Sequence, residues 1–338
     1  MNKNKITNNS LLKIEGLKIS FNTTKGLFPA VKDVSLEINR NTITGIVGES
    51  GCGKSITSLS IMGLLPENAQ FEGKMNFLGK DISYTGDSFP DKSLMRKIRG
   101  KEISMIFQEP MTSLNPLWKV GKQIEENLAL HTDMNRKERF ENVLKIMKDV
   151  GLGNGEELYH KYPHELSGGM RQRIVIAIAI ACRPKLIIAD EPTTALDVTI
   201  QAQILELLKE IKSRSGSSII FISHDLGVIN EICDDVCVMY SGYIVEKSGV
   251  RELFDNPNHP YTMGLIKSIP DSTSKGKTLY NIPGKVPSIY EKIDGCPFAT
   301  RCEFAVEKCR EKLPEFRKIS DTHHSRCIRA GEIEWNRL

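Results

Sequence analysis

The spacing of hydrophobic and polar residues predicts a chain that starts with paired strands and continues as strands alternating with helices. Residues 11–47 alternate apolar and polar positions as antiparallel strands do, and Phe21 ends the first run. Short apolar or β-branched runs predict further strands, and apolar residues at helical spacing predict helices. The further strands are predicted at 42–47, 73–78 with a partner near 82, 103–107, 186–189 and 218–222, and the helices at 56–65, within 120–162, at 174–182 and over 200–211. This order predicts an α/β fold.

Length and composition favour a soluble protein with one large α/β domain and a smaller appended region. The chain has 338 residues, of which 40% are apolar and 26% are charged, as is ordinary for a globular protein. The longest apolar runs fall short of the roughly 18 residues that span a membrane, and the polar start of the chain predicts no signal peptide. We therefore expect a soluble, cytoplasmic protein. The net charge of +4 is too small to argue for nucleic acid binding.

Residues 48–55 form the motif around which the other candidate residues are grouped. They are Gly48, Glu49, Ser50, Gly51, Cys52, Gly53, Lys54 and Ser55, and they fit G-x-x-x-x-G-K-[ST]. The glycines allow successive backbone N–H groups to point at phosphate oxygens, Lys54 supplies a positive charge for the β- and γ-phosphates, and Ser55 is placed to ligate Mg²⁺. A buried strand precedes the loop and a helix follows it from Ile56. The sequence therefore predicts a nucleotide-phosphate site at a helix N-terminus.

Polar residues at the ends of predicted strands are candidates for chemistry on the bound nucleotide. Asp190 and Glu191 end one strand, where Mg²⁺ needs a carboxylate and the attacking water needs a base. His224 ends another and is placed to donate a hydrogen bond to the γ-phosphate, although a lone histidine is more often structural. Gln108 either meets Mg²⁺ or the attacking water, or simply caps its strand. Phe21 either stacks on an adenine base or belongs to the core.

A second glycine motif opens the helix that begins near residue 168. Ser167 is suited to cap this helix, and Gly168 and Gly169 allow backbone N–H groups close access to an anion. Together with the phosphate loop, these segments resemble the ATPase subunits of ABC transporters. The stretches that carry the resemblance are GESGCGKS at 48–55, Gln108 in its loop, LSGGM at 166–170, LIIADE at 186–191, TALD at 194–197 and His224. The order and spacing of these stretches agree with those of ABC transporter ATPase subunits over roughly residues 10–250.

The resemblance implies a P-loop NTPase of the ABC ATPase type, with a RecA-like core, an antiparallel β subdomain and a helical insertion subdomain. The ATPase domain would occupy residues 1–250, with the helical subdomain at about 109–180, and a Cys-rich C-terminal extension would occupy 251–338. The resemblance also implies a head-to-tail dimer that holds two ATP molecules. Each ATP would lie between the phosphate loop of one subunit and the segment 167–169 of the other.

The matching residues take the following roles by resemblance. Glu191 is the general base, His224 senses the γ-phosphate, and Lys54 binds the phosphates. The Mg²⁺ ligands are Ser55, Gln108 and Asp190. Asp197 makes contact across the dimer, and Phe21 stacks on the adenine base. Met170 occupies a position where glutamine is common, but the serine and glycines before it are intact. ATP and Mg²⁺ are thus the implied cofactors.

Four cysteines near the end of the chain form a second candidate site. Cys296, Cys302, Cys309 and Cys327 have the spacing C-x5-C-x6-C-x17-C. In a reducing compartment such a cluster favours a metal over disulfides or unpaired surface thiols. Four thiolates suit either tetrahedral Zn²⁺ or an iron–sulfur cluster, and the absence of a C-x2-C pair weakens the case for a zinc finger.

This extension resembles the oligopeptide/dipeptide permease ATPases. The segment Asn258–Thr262 before the cysteines matches that subfamily, as do PMTSLNP at 110–116 and LSGGMRQR at 166–173. Members of the subfamily carry a [4Fe–4S] cluster here, so the resemblance favours iron–sulfur, with Zn²⁺ as the alternative. A structural role is implied, since prolines collect and the helix and strand signals thin out beyond about residue 250, leaving a region with little core of its own.

The subfamily implies an importer, with this chain peripheral on the cytoplasmic face of the cell membrane. Its partners would be a second, homologous ABC ATPase, two transmembrane permease subunits that contact the helical insertion near 109–165, and an extracytoplasmic peptide-binding protein. Nickel or another solute is the alternative cargo. A non-transport ABC ATPase acting on DNA or ribosomes usually has two cores or long insertions, which this chain lacks. A redox or iron sensor conflicts with the complete set of nucleotide-handling residues.

Overall fold

Two structural units make up the chain, and each has its own strands and helices. The computed structural model describes residues 9–24, 26–84, 91–194, 196–270, 280–287, 291 and 293–335. The helical unit takes its described residues from Met1–Leu11, Ile38–Ile43 and Phe89–Ile222, and the phosphate-loop unit takes its own from Leu12–Glu37, Thr44–Ser88 and Ser223–Leu338. The strands are β1 (Ser10–Thr23), β2 (Gly26–Asn39), β3 (Ile43–Val47), β4 (Ala69–Phe77), β5 (Lys80–Asp81), β6 (Ile103–Ile106), β7 (Leu186–Asp190), β8 (Ser218–Ser223), β9 (Asp235–Tyr240), β10 (Tyr243–Gly249), β11 (Arg317–Lys318) and β12 (His324–Ser325). The helices are α1 (Lys54–Ile61), α2 (Lys92–Ile98), α3 (Pro110–Ser113), α4 (Val120–His131), α5 (Arg136–Asp149), α6 (Gly155–Tyr159), α7 (Gly168–Ile180), α8 (Val198–Ser215), α9 (Leu226–Ile232), α10 (Val250–Asp255), α11 (Pro260–Lys267) and α12 (Lys308–Glu311).

The phosphate-loop unit is built on strands in the order β5-β4-β1-β2-β10-β9-β3. β1 pairs antiparallel with β4, with Ile14 opposite Met75, and it alternates buried and exposed residues as its sequence predicts. β3 instead pairs in parallel with β9, so the expectation that all of residues 11–47 pair antiparallel is wrong for this strand. All five residues of β3 are buried. Continuous burial, without alternation, is typical of a parallel strand covered on both faces.

The helical unit contains a parallel sheet in the order β8-β7-β6. Ile187 of β7 lies opposite Ser104 on one side and Ile219 on the other, and every residue of these strands is buried. The helices α4, α5 and α6 confirm the helical segment predicted within 120–162, and α7 and α8 cover the next two predicted helices. In the described ranges, we find no helix both long enough and apolar enough to cross a bilayer.

The region beyond residue 250 is more regular than its sequence predicts. The helices α10 and α11 follow β10 directly, and the Tyr261 side chain is completely buried. Pro260 lies in the first turn of α11, and the backbone N–H of Tyr261 donates a hydrogen bond of 3.1 Å to Nδ1 of His259. A proline that suggests irregular chain thus starts a helix, where its missing N–H costs nothing. The helices at 250–267 are therefore more regular than the sequence predicts, and the buried Tyr261 packs against Tyr240 of β9.

Candidate functional site

The phosphate loop connects β3 to α1, and two of its glycines lie where a side chain does not fit. A Cβ on Gly48 would overlap the carbonyl oxygen of Met239, and a Cβ on Gly53 would lie 2.9 Å from the carbonyl oxygen of Ala30. Gly53 also has a φ of 106° and immediately precedes α1. The loop therefore follows the neighbouring backbone so closely that only glycine is tolerated at these two positions.

Lys54, the first residue of α1, is held inside the phosphate loop. Its side chain is buried, and its Nζ donates hydrogen bonds to the carbonyl oxygens of Gly48 at 2.7 Å and Glu49 at 3.1 Å. Burial raises the pKa of the neighbouring Cys52 thiol, so this cysteine stays neutral. The loop thus contains a single preorganised cation, which is the chemistry that polyphosphate binding requires.

In the helical unit, the end of β7 brings together three of the residues proposed from sequence. Asp190 is the last residue of β7 and is buried. The next residue, Glu191, accepts hydrogen bonds at Oε2 from Nε2 of Gln108 and from the Thr194 hydroxyl, each of 3.0 Å. Gln108 therefore does more than cap its own strand. The sequence gives no signal for Thr194 as a partner of Glu191.

The backbone of Glu191 is in the left-handed region, with a φ of 47°. A non-glycine residue held there costs on the order of 1–2 kcal/mol. The backbone N–H of Glu191 donates a 3.0 Å hydrogen bond to the carbonyl oxygen of Ile222, which fixes the turn. The fold thus fixes the direction of the Glu191 carboxylate and holds its backbone in an unfavourable conformation. Such strained conformations are common at reactive positions.

The second glycine motif opens α7 as predicted, with Ser167 as its N-cap. The Ser167 hydroxyl accepts a 3.3 Å hydrogen bond from the backbone N–H of Met170, and both Ser167 and Gly168 are exposed. A Cβ on Gly168 would meet no atom within 4 Å, whereas one on Gly169 would lie 3.2 Å from Ile200. Nothing within the described chain therefore explains why residue 168 is glycine.

Three further candidates lie at or near the start of a helix or in β1. Asp197 caps α8, and its Oδ1 accepts a 2.9 Å hydrogen bond from the Ile200 N–H; Ala195, in the same predicted motif, lies outside the described residues. His224 is exposed and lies two residues before α9. Phe21 is half-buried, which disfavours a core role, and its ring stacks on Phe28 with centroids 6.2 Å apart.

A groove of about 510 Å³ runs along the helical insertion. It is lined by Leu117, Trp118, Lys119, Lys122, Glu125, Glu126, Ala129 and Tyr162. The exposed fractions of Leu117 and Trp118 are 82% and 48%, so large hydrophobic side chains are left open to solvent on this face. Two adjacent exposed hydrophobic side chains beside a groove make this face a candidate contact surface for another protein.

An ion cluster around the buried Glu125 carboxylate stabilises the same insertion. Glu125 accepts hydrogen bonds from Nζ of Lys122 at 2.6 Å, from Nε of Arg139 at 3.2 Å and from the Tyr159 hydroxyl. Burial raises the pKa of Glu125, but the bonds from Lys122, Tyr159 and Arg139 outweigh it and lower the pKa to about 2. The carboxylate is therefore ionised throughout the physiological range.

The four C-terminal cysteines line one small cavity of the phosphate-loop unit, so they are not scattered surface thiols. The cavity has a volume of about 20 Å³. Burial raises the pKa of Cys296 to about 12 and that of Cys327 to about 11, and thiols of this kind stay protonated unless a cation stabilises the thiolates. Within the described ranges, no group of three or more His, Cys, Asp or Glu side chains is arranged to hold a metal ion. Thiols are the donor type that soft metals prefer, but the structure does not show these four arranged around a metal and does not support an iron–sulfur cluster.

Two residues that contact the phosphate loop were not identified from the sequence motifs. Arg301, one position before Cys302, forms two hydrogen bonds with the Glu49 carboxylate, of 2.7 and 3.0 Å. The Tyr261 hydroxyl accepts a 2.9 Å hydrogen bond from the Glu49 N–H. Both partners lie more than 200 positions from Glu49 along the chain, so no local pattern could have linked them.

A buried strand, a glycine loop closed against backbone and a buried lysine at the start of a helix define a P-loop nucleotide-binding protein. Residues 31–194 match the ABC transporter family, and residues 245–309 match the family described as oligopeptide/dipeptide transporter, C-terminal region. The chain belongs to the ATP-binding proteins of the ABC transporter family. It is accordingly an ATPase of this type.

The relatives cover nearly the whole chain. A putative peptide import ATP-binding protein of Brucella ovis is 48% identical over 331 residues, which are 96% of this chain and 98% of the relative. The oligopeptide transport ATP-binding protein OppD of Escherichia coli is 45% identical over 305 residues, or 90% of this chain and 89% of the relative. The ATP-binding cassette MJ0796, solved as a post-hydrolysis dimer with ADP and Pi, has a TM-score of 0.63 and 27% identity, and the match covers 71% of this chain and 99% of that one.

Proposed function

We propose that this chain is the ATP-hydrolysing subunit of an ABC importer that moves peptides across the cell membrane. The observation that carries the proposal is the match of residues 245–309 to the C-terminal region of oligopeptide/dipeptide transporters, because this region lies beyond the part of the chain that matches ABC transporters in general. Relatives named for peptide import extend over almost the full chain. The proposed cargo is therefore a dipeptide or oligopeptide.

In the phosphate-loop unit, we assign ATP binding to residues 48–56. The ammonium of Lys54 would exchange its bonds to loop carbonyl oxygens for bonds to β- and γ-phosphate oxygens, and Ser55 would ligate Mg²⁺. His224 would contact the γ-phosphate, and the half-exposed ring of Phe21 would stack on adenine. The buried position of Lys54 supports this assignment.

In the helical unit, we assign hydrolysis to Glu191, with Asp190 and Gln108 in the Mg²⁺ shell. Glu191 would take a proton from water as the water oxygen bonds to the γ-phosphorus. The bond from that phosphorus to the bridging oxygen breaks, and ADP and phosphate leave. The hydrogen bonds that Gln108 and Thr194 donate to Glu191 support the assignment, since they orient its carboxylate.

Residues 167–169 and Asp197 are proposed to complete the site of a second, homologous ATPase subunit. Ser167 and Gly168 are exposed, and the open space at Gly168 leaves room for a ligand supplied from outside the chain. The N-terminus of α7 favours an anion there. Hydrolysis would then require two subunits to close on ATP.

The groove beside the helical insertion is proposed to receive a cytoplasmic segment of a permease subunit. Leu117 and Trp118 would supply the apolar contact, and the charged residues Lys119, Lys122 and Glu126 would form its rim. The chain would then lie on the cytoplasmic face of the membrane. The extracytoplasmic peptide-binding protein would act on the complex from the other side.

We also propose that the cysteine cavity binds an iron–sulfur cluster, with a single Zn²⁺ as the alternative. Cys296, Cys302, Cys309 and Cys327 would be the ligands, and a bound metal would lower the pKa of their thiols. Anaerobic purification with metal analysis and visible absorption tests this site. A brown, reducible sample with iron supports the cluster, a colourless one with one zinc supports the alternative, and a metal-free folded protein refutes both.

Uptake of peptide into membrane vesicles tests the main proposal. The chain is co-expressed with its permease subunits, ATPase partner and peptide-binding protein, and accumulation of a labelled di- or oligopeptide is followed with ATP supplied on the cytoplasmic side. Glu191→Gln should abolish uptake while ATP binding persists. ATP hydrolysis without uptake of any peptide, or co-purification with ribosomes in place of permease subunits, would refute peptide import.

A further inference from the structure

Two side chains from the C-terminal part of the phosphate-loop unit meet at one residue of the phosphate loop. Arg301 binds the carboxylate of Glu49, and Tyr261 binds its backbone N–H. The carbonyl oxygen of the same residue accepts the 3.1 Å hydrogen bond from Lys54. Glu49 is thus held at its side chain and at both of its backbone polar groups.

Arg301 is built into this position with all of its hydrogen-bonding capacity used. Besides the two bonds to Glu49, its guanidinium donates to the Tyr240 hydroxyl at 3.3 Å and to the carbonyl oxygens of Ile282 and Pro283 at 3.3 and 2.9 Å. The side chain is 4% exposed. A guanidinium that is buried and fully bonded has one geometry, so it can fix the carboxylate that it binds.

Tyr261 is equally constrained. Its ring is completely buried and packs against Tyr240 and Phe298, with centroids 4.6 and 5.4 Å away. These contacts leave the hydroxyl directed at the Glu49 N–H. Tyr261 belongs to the segment Asn258–Thr262, to which the proposed function assigns no role.

We propose that Arg301 and Tyr261 are positioning residues that set the conformation of the phosphate loop through Glu49 and thereby determine its affinity for nucleotide. Neither side chain needs to touch ATP. They act on the residue whose carbonyl oxygen bonds Lys54, so that the lysine and the loop N–H groups are preorganised for the phosphates. The inference rests on the proposed role of residues 48–55 in ATP binding.

The positioning also connects the phosphate loop to the cysteine cavity. Arg301 immediately precedes Cys302, and Tyr261 immediately follows His259 and Pro260; all three of these neighbours line the cavity. Phe298 lines the cavity as well and packs on Tyr261. Arg301 thus connects Cys302, its neighbour in the chain, to the Glu49 carboxylate that its side chain binds.

Binding of a fluorescent ATP analogue with Mg²⁺ to the purified full-length chain tests the inference. Arg301→Gln should weaken binding about tenfold, since it removes a charged pair of hydrogen bonds. Tyr261→Phe keeps the ring packing and should weaken binding roughly three- to tenfold. Arg301→Lys, which keeps the charge but not the paired geometry, should bind with intermediate affinity.

Arg326→Gln is the matched control for loss of a buried arginine. Arg326 is also buried and pairs with Asp33 at 2.6 Å, so the variant should lower the thermal midpoint to a similar extent and bind nucleotide normally. In the ATPase assay of the complex, Arg301→Gln should raise KM with kcat changed by less than about twofold. Wild-type affinity in Arg301→Gln and Tyr261→Phe, or equal loss of affinity in Arg326→Gln, would overturn the proposal.

A double variant tests the route through Glu49. If Arg301 acts through this residue, Arg301→Gln should have almost no further effect on affinity in a Glu49→Gln background, whereas additive losses would refute that route. Lys54→Ala separates this inference from the proposed function. Normal nucleotide binding by Lys54→Ala would refute the loop as the ATP site, while its loss together with normal binding by the Arg301 and Tyr261 variants would refute only the positioning role.

Discussion

The variant Gly168→Ala is expected to make the folded chain slightly more stable and to stop ATP hydrolysis by the assembled transporter. Gly168 is the first residue of α7 and does not have a positive φ. A Cβ added to it would meet no atom within 4 Å. Alanine therefore fits the backbone without strain. Because glycine loses more conformational entropy than alanine on folding, the substitution should stabilise the chain by about 0.5–1 kcal/mol, or roughly 2 °C in thermal midpoint.

The same methyl group would point into space that we assign to ATP on the partner subunit. It should keep the backbone N–H groups of α7 from approaching the phosphates, and losing a donor of this kind costs about 100-fold or more in turnover. Differential scanning of the isolated chain and phosphate release by the complex measure the two effects. Gly153→Ala is the control, since its Cβ also meets open space but lies outside the second glycine motif at 166–170, and it should hydrolyse ATP normally.

Either of two results would refute this reasoning. Full ATP hydrolysis by the complex carrying Gly168→Ala would show that the second glycine motif does not contact the nucleotide. A lower thermal midpoint would show that Gly168 has a role within its own chain that the open space does not reveal.

Three further perturbations have defined outcomes. Glu191→Gln should bind Mg-ATP but reduce phosphate release by about 100-fold or more, and undiminished turnover would contradict the general-base role. Because the pKa of Glu125 is about 2 in the folded chain against an ordinary value of 4.5, the unfolded chain is protonated first, so the stability that Glu125 contributes above about pH 4.5 should be lost as the pH falls toward 2. Denaturant unfolding of Glu125→Gln should depend less on pH over this range, and an unchanged dependence would argue against the cluster. Leu117→Asp, at a position 82% exposed, should leave thermal unfolding unchanged and abolish co-purification with permease subunits, whereas retention of those subunits would exclude the groove as the docking site.

The local features of this chain could be predicted from its sequence because they depend on short-range patterns. The strand before the phosphate loop, the cap of α7 by Ser167 and the acidic end of β7 each depend on a few consecutive residues. The helix α11 could not be predicted in the same way, since Pro260 and the polar residues before it suggest a turn. In the structure its residue Tyr261 is completely buried, which is a tertiary effect that no local pattern shows.

The contacts that orient the candidate site residues depend on distant parts of the chain. Gln108 and Glu191 are 83 positions apart, and Glu49 and Arg301 are 252 apart. A single sequence shows that each of these residues is polar, but it does not show which other residue each one will contact. For the same reason the clustering of the cysteines suggested a metal site, but not that the thiols would enclose so small a cavity.

Because Glu191 has a left-handed backbone, thermal stability and ATP hydrolysis place opposite demands on this position. Glycine there would release the backbone from an unfavourable conformation while removing the carboxylate. A library of random variants sorted only for resistance to heat should therefore become enriched in inactive proteins changed at residue 191, whereas sorting for growth on peptides should return glutamate every time. Substitutions intended to make this chain more resistant to heat should therefore be made at other positions, and Glu191 should be kept.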